Sequence, residues 1–114
     1  MESTTESLYP DFIRDLPEID IALNGVRGWL LQGATTQTVF FDIEPVGEIP
    51  PHSHCAQWGI MLEGEMKLTI AGEILLVRKG DRYFIPEGAL HSATFLTRVQ
   101  AIDYFDDPKR YRAR

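Results

Sequence analysis

Cysteine, histidine and positive charge are all scarce in this chain of 114 residues. Cys55 is the only cysteine, so no internal disulfide can form, which agrees with a reducing compartment. Eleven Lys and Arg stand against seventeen Asp and Glu, and the net charge of -6 argues against a general attraction to nucleic acid or to anionic lipid. No stretch reaches the roughly 20 consecutive apolar residues that a membrane-spanning helix requires. The opening run Met-Glu-Ser-Thr-Thr-Glu-Ser lacks both the basic start and the apolar stretch of a secretory signal, so a cytoplasmic location is expected. Nor does any fixed-period repeat or low-complexity tract interrupt residues 17–107. What remains, 44% apolar and 25% charged, is the composition of a single soluble globular domain with one core.

From Trp29 onward, short β-rich runs alternate with turn signals, and eight strands are predicted: 29–32, 36–43, 58–62, 65–70, 73–77, 81–85, 91–95 and 98–105. Strands this short and regularly spaced indicate an all-β sandwich or barrel. Ala71-Gly72 reads as a two-residue hairpin, and Glu63-Gly64 and Lys79-Gly80 as neighbouring turns. One short helix is expected within Tyr9 to Leu16, with Phe12, Ile13 and Leu16 on one face and Pro17 ending it. Residues 1–16 are thus an N-terminal extension, the first seven expected to be disordered. Residues 17–107 form the β domain. Residues 108–114 are a basic C-terminal tail, expected to be solvated, with anion capture at a pocket mouth as the alternative.

The three histidines are few but not scattered. His52 and His54 lie in Gly47-Glu-Ile-Pro-Pro-His-Ser-His-Cys-Ala-Gln-Trp-Gly, and His91 closes Gly80-Asp-Arg-Tyr-Phe-Ile-Pro-Glu-Gly-Ala-Leu-His. On a regular strand an i, i+2 pair points to one side, as two ligands of one ion must. By the same parity Gln57 faces away from His54 unless a bulge near Cys55-Ala56 turns it round. Cys55 is expected to be a small buried residue, not a thiolate ligand. On the last strand Ala101, Asp103 and Phe105 share a face, opposite Ile102 and Tyr104. An acid among apolar neighbours must be paired, for instance with Arg82, or used as a general acid or base. Trp29, Phe41, Trp58, Met61 and Phe84 are expected to be core filling, with cavity lining as the alternative.

These motifs resemble those of the small single-domain cupins. Gly47, His52, His54, Gln57 and Gly64 match the first motif of that family, and Gly80, Pro86, Gly88 and His91 match the second. The resemblance covers about residues 25–107 and implies a double-stranded β-helix, or jelly-roll, barrel. It also implies a homodimer and one divalent transition metal ion (zinc, nickel, iron, manganese or copper) held by His52, His54, Gln57 and His91. The last strand is similar to that of pectin-degradation cupins, which open 4,5-unsaturated uronates to linear keto acids. That likeness implies that Asp103 moves a proton, Phe105 packs the sugar ring and Lys109 or Arg110 holds the carboxylate.

Four neutral ligands leave the two charges of a divalent ion uncompensated, so a small anionic partner is expected. The leading expectation is an isomerase or lyase acting on a carboxylated sugar or keto acid. An iron-dependent dioxygenase and a non-catalytic anion-binding or sensing cupin are the alternatives.

Overall fold

The computed structural model describes residues 7–45 and 48–114. Among these residues a four-residue helix, α1 (Asp11–Arg14), precedes nine strands: β1 (Val26–Gln32), β2 (Gln37–Ile43), β3 (Glu48–His52), β4 (Gln57–Glu63), β5 (Glu65–Ile70), β6 (Glu73–Arg78), β7 (Arg82–Ile85), β8 (His91–Phe95) and β9 (Val99–Phe105). All eight predicted strands are present. The ninth, β3, carries Pro50 and Pro51, which cannot donate ladder hydrogen bonds and hide it from a propensity reading. It is tolerated because β3 lies at the edge of its sheet, and its register with β8 shifts between Ile49 and His52, where the prolines fall.

Two antiparallel sheets face each other in a jelly roll. One has the order β1-β2-β9-β4-β7 and the other β3-β8-β5-β6. Alternation along each strand sends one set of side chains between the sheets: Val39, Phe41 and Ile43 from β2, Met66 and Leu68 from β5, Ala93 and Phe95 from β8, Val99, Ala101 and Phe105 from β9, all buried. The Ala71-Gly72 hairpin forms as predicted, with positive φ at both residues, the requirement of a tight two-residue turn whose twist suits the flanking strands.

The terminal segments close this sandwich. Tyr9 is buried on the outer side of the larger sheet, its hydroxyl 2.8 Å from Phe41 O and its ring edge-on to Trp29 and Phe40. Phe12, expected on the packed face of the helix, is exposed, because Tyr9 ahead of α1 makes the contact instead. The basic tail is docked, not solvated. Buried Gln37 donates to Pro108 O and Tyr111 O and accepts from Tyr111 N at 2.9 Å, while Ile19 bridges Ala113.

Two aromatics depart from their expected places. Trp58 and Phe84 are 42% and 57% exposed, neither core nor cavity wall, since the inward positions beside them belong to Gln57 and Ile85. The expected disorder of the first residues and the motif's Gly47 lie outside the described residues, apart from Ser7. Among the described residues no helix is long and apolar enough to cross a membrane.

Candidate metal centre

Two connections and one strand pair bring the histidines together. His52 ends β3 and pairs directly with His91 at the start of β8. His54 is not on a strand at all: β3 stops at His52 and β4 begins at Gln57, so residues 53–56 carry the chain from one sheet to the other. The parity argument for an i, i+2 pair and for a bulge before Gln57 therefore does not apply. The crossing itself turns Gln57 inward. His54 is fixed from outside by the second motif, because Gly88 N donates to His54 O at 2.9 Å, and Gly88 has the positive φ that favours glycine in this turn.

One ligand nitrogen from each ring lies within 4.8 Å of those of the other two, and the ring centroids are 4.2 to 5.0 Å apart. Each ring is anchored in the same way. His52 Nδ1 lies 2.9 Å from Pro50 O, His54 Nδ1 2.8 Å from Cys55 O and His91 Nδ1 2.9 Å from Ala89 O. A backbone carbonyl accepts only from a protonated nitrogen, so Nδ1 carries the proton and Nε2 keeps its lone pair for an ion. Burial pushes the His54 imidazole down to about 4, helped by the Arg110 charge and the other two rings. His91 is lowered by burial as well. Three rings with the same nitrogen free are what metal ligation requires, so the donor set fits a divalent transition metal.

The rings open onto a cavity of about 70 Å³ between the sheets. Its lining is mostly apolar, with Phe41, Met66, Leu68, Phe95 and Phe105, and Gln57, Tyr83, Asp103 and Arg110 add polar groups. Asp103 is 3% exposed, and its partner is not Arg82, which is exposed on β7. Instead Gln57 Nε2 and Tyr83 OH donate to Oδ1 at 2.8 and 2.7 Å. Burial pushes the Asp103 carboxyl up to about 6 against the opposing effect of these two donors.

Phe105 lies edge-on to His54 at 5.8 Å between ring centroids. Of the two basic candidates, Arg110 lines the cavity and stacks over Tyr111 at 4.3 Å, and its buried Nε has no hydrogen-bond partner among the described residues. Lys109 is exposed and takes no part in the lining. Cys55 is partly buried, and desolvation raises its thiol, which disfavours a thiolate.

Tyr83, Gly59 and Tyr111 were not singled out from the sequence. Tyr83 was within reach of it, since it shares the inward face of β7 with Ile85. Tyr111 was not, because only docking of the tail brings it to the cavity.

Comparison with known proteins gives the same picture. Comparison with curated proteins yields no match. An RmlC-like cupin from Shewanella frigidimarina is 26% identical with a TM-score of 0.74, over 85% of this chain and 87% of that one. KdgF from Halomonas sp. is 22% identical with a TM-score of 0.71, over 81% and 88%. A Bacillus subtilis oxalate decarboxylase variant is 23% identical with a TM-score of 0.72, but the match spans 84% of this chain and only 28% of that longer one. The sequence profile of the cupin domain matches residues 39–102, more than half of the chain, and with its jelly roll and three converging histidines the protein belongs to the cupin domain family.

Proposed function

We propose that this cupin is a metal-dependent enzyme that opens or isomerises a small carboxylated sugar or keto acid. The observation that carries the reading is the convergence of three imidazoles, each with Nδ1 spent on a backbone carbonyl, in a cavity that also holds Asp103 and an Arg110 nitrogen without a partner among the described residues. His52, His54 and His91 would hold the ion, with the Gln57 amide oxygen as a fourth ligand. When bound, the ion supplies Lewis-acid polarisation of a substrate oxygen.

The protein's own groups then divide the work. Arg110, with a guanidinium nitrogen left without an acceptor in a buried place, takes the substrate carboxylate. Phe105 offers an apolar surface to the ring. Asp103 lines the cavity with a carboxyl raised to about 6, near enough to neutrality to give or take a proton at physiological pH. The likeness to KdgF, at 22% identity, supports the fold in which this would happen and leaves the substrate to be tested.

The test is to load the purified protein with metal, add 4,5-unsaturated uronate and follow the double-bond absorbance. Loss of absorbance at a rate proportional to enzyme is expected. Unchanged absorbance with folded, metal-loaded protein rejects this substrate, and oxygen uptake by iron-loaded protein would favour the dioxygenase. Asp103→Asn separates enzyme from binder: it is expected to lose turnover by a hundredfold or more, on the order of general acid–base contributions, while the ligand still binds.

A further inference from the structure

Three strands place a polar relay behind Gln57. In register across β7, β4 and β9, Tyr83 is opposite Gly59 and Gly59 is opposite Asp103. Because Gly59 has no side chain, Tyr83 reaches over it to Asp103. A Cβ at Gly59 would clash with Tyr83 Cζ and Asp103 Oδ1, so the contact occupies the space a side chain would need. Gln57 is the next inward residue of β4, and its Nε2 donates to the same Oδ1 that accepts the tyrosine hydroxyl. An amide whose nitrogen is committed to a carboxylate has its orientation fixed, and its oxygen is the end left to meet a cation.

We infer that Tyr83 and Asp103 are positioning residues that hold the Gln57 amide with its oxygen available to the metal. Tyr83 OH can only donate to the carboxylate, so it pins Oδ1 in place, and Oδ1 in turn accepts from Gln57. Oδ1 of Asp103 thereby receives both donors and links the Tyr83 hydroxyl to the Gln57 amide. The arrangement is that of a metal site's outer hydrogen-bonding layer, whose loss ordinarily weakens metal binding by about 10- to 100-fold. It rests on the metal reading proposed above, and it assigns a role to Tyr83 that the motif residues do not reveal.

The experiment is a cobalt(II) titration of metal-free protein, read by affinity and by the visible ligand-field spectrum, in a cycle of Tyr83→Phe, Gln57→Ala and the double variant. Tyr83→Phe is expected to weaken cobalt binding by about tenfold and to shift the visible bands toward those of Gln57→Ala. In the Gln57→Ala background it is expected to add nothing, because the amide it orients is gone. Asp103→Leu should behave like Tyr83→Phe, and Asp103→Asn, which keeps an acceptor oxygen, should recover part of the affinity. Circular dichroism confirms folding, and the Asp103 variants carry the cycle if Tyr83→Phe does not fold.

Equal losses with and without Gln57, or an unchanged affinity and spectrum in Tyr83→Phe, would overturn the inference and leave the metal reading standing. Wild-type protein that binds no cobalt would overturn both.

Discussion

Burial acts on two titratable side chains of the cavity in opposite senses, and the consequence can be measured at the level of single residues. His54 has a folded value of about 4 against an ordinary 6.5. Between those limits the unfolded chain takes up a proton that the folded chain refuses, so metal-free protein loses stability as pH falls through that window. Asp103 runs the other way, since its folded value of about 6 exceeds the ordinary 3.8. The folded chain holds a proton there that the unfolded chain releases, so lowering the pH from 6 toward 4 favours the fold. The two effects offset each other in wild type. Asp103→Asn removes one of them, and its denaturation midpoint is therefore expected to fall more steeply than wild type between pH 6.5 and 4, measured in urea with chelator present. A parallel slope would reject the burial account of Asp103.

Arg110 supplies a second test at this scale. A charge-assisted contact to a carboxylate is worth about 1.5–3 kcal/mol, so Arg110→Ala is expected to weaken an anionic ligand by roughly 10- to 150-fold in calorimetric titration while metal stoichiometry stays at that of wild type.

Among the elements, the β5–β6 hairpin carries a correctable strain. Ala71 has φ of +50, a region that costs an L-residue about 1 kcal/mol and glycine almost nothing. Ala71→Gly is expected to raise stability by a few tenths of a kcal/mol, the gain in the folded turn being reduced by glycine's greater freedom in the unfolded chain. Differential scanning calorimetry should show a higher melting temperature, and a lower one would mean that the turn relaxes without strain. The edge strand β3 makes the complementary point. Its two prolines suppress a strand signal, yet it carries His52 into contact with His91. The C-terminal segment is held at two places: buried Gln37 has its amide satisfied by Gln32, Pro108 and Tyr111, and the backbone of Glu18, Ile19 and Asp20 pairs with that of Arg114, Ala113 and Arg112. That latch is what puts Arg110 and Tyr111 on the cavity wall.

On the scale of the whole molecule, the outer face of the larger sheet displays a row of apolar and aromatic side chains. Phe84, Trp58 and Tyr104 are direct cross-strand neighbours on β7, β4 and β9, each exposed by 42% or more. Such a patch costs solvation in an isolated chain and is the usual mark of an interaction surface. We propose that it takes part in the homodimer that the family resemblance implies. Sedimentation equilibrium is expected to give twice the chain mass, and Trp58→Lys with Phe84→Lys to give the monomer. A monomeric wild type at micromolar concentration would reject this.

The sequence by itself determined the fold class and marked the three histidines that come together as one candidate set. Period-two alternation follows from strand geometry, glycines mark the turns that need positive φ, and three histidines in a chain with no others can be read as one set. Only the tertiary structure decided how they meet. His54 is placed by a sheet-to-sheet crossing and by Gly88, not by strand parity. Asp103 finds Gln57 and Tyr83 across Gly59, not Arg82. Arg110, not Lys109, reaches the cavity because the tail folds back onto Gln37. Each of these outcomes depends on partners far apart in the chain, and local sequence carries no signal for contacts that exist only once two sheets have closed on each other.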